Sequence, residues 1–326
     1  MISSVGVDQA ASADESSSAI TIFAPAGIGE IKTGTDLATV ILAAIEADRL
    51  GPLRDGDIVI ITSKIISKAE ARVEPASRRT ELITSETRRT VARRGETRIV
   101  RIYGGLTIAA AGIDRSNVST ESILLLPSDP DASAAELHRR LVAATGLRLG
   151  VIVSDTAGRP WRVGQTDHAI GVCSVRALEN YTGIQDAYGN ELQITAMAVA
   201  DELAAAADLV KGKLHGRPVA VVRGLDQLVI RTDSSARELL REEDKDMFSF
   251  GSQEAVLAAV LAATGQHHRY EELVALDAGE RTARLLAGTS LGPEAADLLR
   301  AILSIDLVTG STQQFEIDSP LLETDQ

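Results

Sequence analysis

Val151-Ile152-Val153-Ser154-Asp155-Thr156-Ala157-Gly158-Arg159-Pro160-Trp161-Arg162-Val163-Gly164-Gln165-Thr166-Asp167 sets an apolar run directly against a polar one. Leu149 and Val151 to Val153 read as a buried strand. The chain turns polar at Ser154-Asp155-Thr156 and enters a loop bearing glycine and arginine. In a parallel sheet the carboxyl ends of the strands are where ligands meet the fold, so Asp155 is the first residue that needs a role. A second run, Ile58-Val59-Ile60-Ile61, repeats the pattern and ends at Thr62-Ser63-Lys64; a third, Val219 to Val222, ends at Arg223-Gly224.

Thr35 or Asp36 caps a helix whose apolar residues Leu37, Val40, Ile41, Ala44 and Ile45 keep helical spacing up to Gly51-Pro52. Ser85 to Arg94 reads as a basic helical stretch, Ile99 to Tyr103 and Thr107 to Ala110 as short strands, and Ile123 to Leu126 as another apolar run. Ala134 to Thr145 is helical and stops at Gly146, and Glu191 to Lys211 reads as a long alanine-rich helix. Strands alternating with helices, mixed with strands that follow one another, define an α+β (mixed α/β) enzyme domain.

The 326 residues include one cysteine, Cys173. That excludes an intrachain disulfide framework and a cysteine-rich zinc site, and it suits a cytoplasmic location. No apolar run approaches the length of a membrane span. The net charge of −13 argues against a nucleic-acid partner, but it is unevenly placed. Residues 233–326 carry 18 acidic and 7 basic side chains, residues 1–19 carry three acidic and no basic ones, and the stretch 20–232 is close to neutral. The expected organisation is a disordered tail over 1–19, a catalytic domain over 20–232, and an acidic, mostly helical extension over 233–326.

The common nucleotide signatures fail. Gly27-Ile28-Gly29-Glu30-Ile31-Lys32 lacks the third glycine of a dinucleotide fingerprint, and Leu214 after Gly212-Lys213 spoils a Walker loop. Gly27 to Glu30 still reads as a tight turn whose amides could hold phosphate oxygens, or as an ordinary turn. Asp114, in Gly112-Ile113-Asp114-Arg115-Ser116-Asn117, and Asp155 are hard oxygen ligands suited to Mg²⁺ or Mn²⁺, with Thr156 adding a hydroxyl. The competing reading makes Asp155 a turn cap and Asp114 the closure of an Asx turn. Lys64 and Lys68 lie four apart, on one face if helical, where a lysine could neutralise a transferring phosphoryl group. Arg159 and Arg162 flank Pro160-Trp161, and their guanidinium forks suit phosphate or carboxylate. Cys173 reads as a buried small residue, and the histidines lack zinc-ligand spacing.

Asp155 to Asp167, Ala169-Ile170-Gly171, Tyr188 to Leu192, Ala200-Asp201-Glu202-Leu203-Ala204 and Gly224 together resemble the coenzyme F420-0:L-glutamate ligase family. The resemblance runs from about Ile20 to Leu228 and includes Gly27 to Glu30, Thr62-Ser63-Lys64, Lys68-Ala69-Glu70 and Gly112 to Asn117. It implies a mixed α+β fold in an intertwined homodimer. It also implies GTP-dependent ligation of L-glutamate to coenzyme F420-0, followed by γ-linked extension. Gly27, Ile28, Gly29, Glu30, Ser63, Lys68 and Asn117 would contact GTP, together with Gly212 and Lys213 of the last nucleotide loop. Asp114, Asp155 and Thr156 would hold two divalent ions, Mg²⁺ or Mn²⁺, with K⁺ a further candidate, and Lys68 and Asp155 would be catalytic. Lys213 stands about where the family places a side chain that helps bind the second metal. Arg159 and Arg162 would hold the precursor's phosphodiester or the incoming glutamate. The C-terminal residues lack the pattern of the flavin-binding reductase domain fused to some relatives, so FMN is not expected. The rivals are a same-fold ligase for another amino acid or precursor, and a nucleotide- or coenzyme-binding protein without turnover.

Overall fold

The computed structural model describes residues 19–193, 195–288 and 292–304. In chain order the elements are β1 (Thr21–Phe23), α1 (Leu37–Ala47), β2 (Ile58–Thr62), α2 (Ser63–Ala69), β3 (Val73–Pro75), α3 (Arg79–Glu86), β4 (Thr87–Arg94), β5 (Thr97–Ile102), β6 (Thr107–Ala109) and β7 (Ser122–Leu124). They continue with α4 (Pro130–Thr145), β8 (Gly150–Arg159), β9 (Arg162–Cys173), β10 (Glu179–Asn180), β11 (Ala196–Met197), α5 (Val199–Lys211) and β12 (Val219–Arg223). Four helices close the described chain: α6 (Ser252–Ala263), α7 (Tyr270–Val274), α8 (Ala278–Ala287) and α9 (Pro293–Ser304).

The three apolar runs are the centre of a five-stranded sheet of order β1-β12-β2-β8-β9. β2 and β8 run parallel and every other neighbouring pair is antiparallel, which makes the sheet mixed. Strand side chains alternate between faces, and here both faces are apolar. Val59, Ile61, Val151, Val153, Val219 and Val221 pack against Ile41 and Ile45 of α1 and Leu137 and Leu141 of α4. Ile58, Ile60, Ile152, Ala220 and Val222 pack against Ala200, Leu203, Ala204 and Ala207 of α5. The small residues of α5 let it lie close to the sheet. Burying each Val or Ile contributes roughly 1.5–3 kcal/mol, so the two faces fix the strand register firmly.

Asp36 caps α1 and Asp129 caps α4, whose first residue is Pro130 and whose end is Gly146 at φ +71°. β9 carries a bulge: Val153 pairs with Gly171 and Ser154 with Ala169, leaving Ile170 without a partner on β8. At Gly171 a Cβ would fall 2.2 Å from the Pro130 carbonyl oxygen, so only glycine lets the start of α4 approach β9 this closely.

A second sheet, β4-β5-β6, and the β3-β7 ribbon enclose a smaller core that includes Ile83, Val100, Ile123 and Leu125. Beyond Leu228 the chain stays on the main body, where the Asp131 carboxylate accepts from Ser235 Oγ (2.5 Å) and the Ala236 amide (2.9 Å). Helices α6 to α8 bury Leu257, Leu261, Tyr270 and Leu273 among themselves and dock on β4. Tyr270 donates to the Thr90 carbonyl, and Glu271 and Glu254 accept from the Thr90 and Arg93 amides.

The mixed α/β class is as expected, and three local readings are corrected. Residues 87–94 are a strand, not the end of a basic helix. Two of the amides of this strand are satisfied by glutamates some 160 to 180 positions away, and such tertiary partners outweigh local propensity. The alanine-rich helix begins at Val199 rather than Glu191. Before it, Asp186 accepts from the Tyr188 and Asn190 amides and folds the chain back on itself. The stretch after Thr156 is not a loop, because β8 continues to Arg159, turns at Pro160-Trp161 and returns as β9. Among the described residues no helix is long and apolar enough to cross a membrane.

Candidate functional site

The carboxyl ends of the parallel strands β2 and β8 open into a cleft of about 430 Å³, closed by the 24–36 segment and by the loop between α5 and β12. Ile28, Gly29, Glu30, Lys68, Asn117, Thr156, Gly212 and Lys213 line it, with Gly27 (φ +92°) beside them. One cleft thus gathers five segments that are far apart in the chain. Lys68, 8% exposed, reaches Glu30 Oε1 at 2.5 Å.

Successive residues of β8 point to opposite sides, and the two sides differ chemically. Asp155 faces α2, which begins directly where β2 ends, and Ser63 Oγ donates to Asp155 Oδ1 at 2.8 Å. Next to it Lys64 donates to Asp114 Oδ2 and to Ser116 Oγ. Asp114 Oδ1 also accepts from the Arg115 (2.6 Å) and Ser116 (2.9 Å) amides. Asp114 therefore closes its own turn and holds a cationic partner at once. The chain reaches it through Ala110 and Ala111 at φ +50° and +56°, a left-handed backbone that L-residues rarely adopt. Buried Ala111 and Ile113, packed in the smaller core, hold that backbone in place.

Burial pushes the Asp155 carboxyl up to about 6; the charges of Asp167 and Asp114 add to the rise, while the Ser63 bond and Lys64 offset part of it. For Asp114 burial also acts upward, but the Lys64 and Ser116 bonds prevail and hold it at about 2.

On the α5 side, Asp167 and Lys211 form an ion pair at 2.6 Å with both side chains almost wholly buried. Ser154 Oγ donates to Asp167 Oδ2 (2.8 Å) and accepts from Lys211 Nζ (2.9 Å). Thr156 Oγ1 donates to Asp167 Oδ1 (2.7 Å), and Lys213 Nζ reaches Thr156 Oγ1 at 3.3 Å. Burial acts to raise the Asp167 carboxyl, yet Lys211 and the two hydroxyls hold it below the usual carboxylate range.

Sequence reasoning passed over Asp167, Lys211 and Ser154 as site residues. Lys211 did carry a signal, since it continues the buried stripe Val199, Leu203, Ala207 at four-residue spacing, where a lysine demands a buried partner. Asp167 carried none, because its pairing depends on the hairpin register. Arg159 and Arg162 pair across the hairpin tip and do not line the cleft. Between them Trp161, 80% exposed, meets the Phe248 ring edge-on at 4.8 Å.

Among the described residues no three His, Cys, Asp or Glu side chains gather into a metal-binding group. Asp114, Asp155 and Thr156 are nonetheless all hard oxygen donors, and Asp155 is a carboxylate whose charge the protein only partly offsets. Divided between the two sides of β8, these donors fit divalent ions whose remaining ligands come from phosphate oxygens or water.

Fold and cleft define a mixed α/β enzyme with a polar site at its strand ends. Comparison with known proteins carries this further, since the profile of the F420-0:Gamma-glutamyl ligase family matches residues 27–224. The chain is 37% identical over 247 residues to the coenzyme F420:L-glutamate ligase of Archaeoglobus fulgidus, covering 70% of this chain and 96% of that one. It is 36% identical over 249 residues to that of Methanothermobacter thermautotrophicus, covering 70% and 98%. The chain belongs to the F420-0:gamma-glutamyl ligase family, and it is a ligase.

Proposed function

We propose that this ligase joins L-glutamate to coenzyme F420-0 at the expense of GTP and then extends the product with γ-linked glutamates. The observation that carries the reading is the convergence of the 27–30 turn, Lys68 and Thr156 on one cleft, with Asp155 and Asp114 against its edge. A carboxylate does not condense with an amine in water, because its oxide is a poor leaving group. Transfer of the GTP γ-phosphoryl group to the precursor's terminal carboxylate gives an acyl phosphate and GDP. The glutamate amine attacks the acyl carbon, phosphate departs, and the amine gives up a proton.

Lys68, fixed by Glu30, neutralises charge on the moving phosphoryl oxygens, and the amides of Gly27 to Glu30 hold the nucleotide phosphates. Asp114, Asp155 and Thr156 would hold Mg²⁺ or Mn²⁺, which when bound supplies Lewis-acid charge. Arg159 and Arg162, outside the cleft walls, would grip the part of the precursor or the glutamate that extends beyond them. The working form is a cytoplasmic homodimer in this reading, and exposed Trp161, Val163 and Tyr188 suit a partner surface.

The test is incubation with coenzyme F420-0, Mn²⁺, GTP or ATP, and each amino acid in turn, with product masses and GDP followed. The expected outcome is a glutamate-dependent mass increase matched by GDP and phosphate. Absence of any glutamate-dependent increase overturns the reading. An increase with a different amino acid moves the chain to another ligase, and GTP binding without GDP makes it a binding protein.

A further inference from the structure

The buried pair Asp167–Lys211 has no explanation in stability. Removing two charges from water costs several kcal/mol per ion, and apolar residues of like volume commonly do as well or better in such positions. Yet both residues form part of the cleft lining, and each carboxylate oxygen of Asp167 has a donor. One takes Lys211 and Ser154, and the other takes the hydroxyl of Thr156.

A threonine hydroxyl has one hydrogen and two lone pairs. An ionised carboxylate can only accept, so the bond to Asp167 Oδ1 commits that hydrogen inward and leaves the lone pairs of Thr156 Oγ1 toward the cleft. Lys213 already exploits this by approaching the same oxygen. Lys211 keeps Asp167 ionised and still, and Ser154, two residues before Thr156 on the same side of β8, donates to the same carboxylate oxygen.

We propose that Asp167 is a positioning residue that makes Thr156 an obligatory acceptor, turning its hydroxyl oxygen into a preformed ligand for a divalent cation. The inference rests on the proposed role of Thr156 as a cation ligand. Asparagine at 167 inverts the arrangement. Lys211 claims its single carbonyl oxygen, its amide faces Thr156, and the threonine hydrogen turns into the cleft.

The experiment titrates Mn²⁺ into the GDP-loaded protein and follows free Mn²⁺ by electron paramagnetic resonance, for wild type, Thr156→Val, Asp167→Asn and the double variant. Asp167→Asn is expected to weaken Mn²⁺ binding on the order of 10–100-fold, the usual effect of losing a group that orients a metal ligand. In the Thr156→Val background it adds nothing further. Because Asp167→Asn leaves Lys211 buried without a counter-charge, Asp167→Ala/Lys211→Met serves as a second probe that removes both charges. It is expected to weaken Mn²⁺ in the same direction.

Wild-type Mn²⁺ affinity in folded Asp167→Asn or Asp167→Ala/Lys211→Met, with Thr156→Val impaired, overturns the inference and leaves the cation site standing. Independent, multiplying losses in the double variant overturn it as well. Wild-type affinity in Thr156→Val removes the cation-ligand role of Thr156 itself, and the inference falls with it.

Discussion

Two carboxylates on one hairpin, half-buried Asp155 on β8 and buried Asp167 on β9, meet opposite fates. Asp167 has a lysine and two hydroxyls and titrates below the usual range, whereas Asp155 has one serine bond and is pushed up to about 6. Charge that the protein has already balanced is held still and serves to position its neighbours. Charge that it has left partly unbalanced is available for chemistry, and it is at such groups that functional sites concentrate.

The strongest way to break this contrast is Lys211→Met. It strands the Asp167 charge and is expected to cost about 3–5 kcal/mol, the usual penalty for removing one partner of a buried pair. Urea unfolding measures it, and a loss below about 1 kcal/mol, the level of an exposed pair, would make Asp167 no better anchored than Asp155.

Asp155→Asn should do the reverse, lowering glutamate-dependent turnover roughly 100- to 1,000-fold, or several kcal/mol of lost charge stabilisation, without lowering the melting temperature. Its pH behaviour sharpens the point. The folded state holds the Asp155 proton longer than the unfolded chain, so the contribution of this group is present below the ordinary aspartate pKa and is lost as pH rises through about 6. Melting temperatures in EDTA should therefore fall less over that window in Asp155→Asn than in wild type. Equal slopes would show that Asp155 is not the group responsible.

Ser63→Ala is the mildest probe. It removes the one hydrogen bond that Asp155 receives from Ser63 and should cost about 1 kcal/mol. It should also raise the Asp155 titration further, read from the same pH series; a downward shift would contradict the assigned bond.

The centre of the main sheet was legible because 58–61, 151–153 and 219–222 are short, largely β-branched runs apolar on both faces, bounded by polar residues or turns. Residues 85–94 were not, since the glutamates that satisfy their strand edge lie in the extension, beyond the reach of any local pattern. Of the candidate site, Ile28 to Glu30, Lys68, Asn117 and Thr156 line one cleft. Arg159 and Arg162 stay at the hairpin tip because β8 and β9 pair almost to its end. The Asp167–Lys211 pair joins a hairpin to a helix, and its existence depends on which way Asp167 faces.

That facing is decided by one residue. Were Ile170 paired opposite Ser154, His168 would stand opposite Thr156, and Asp167 would slide one step and turn away from Lys211. The bulge thus acts on the hairpin as a reading frame acts on a message. A single inserted position leaves every residue identity unchanged and reassigns which side of the ribbon each one serves.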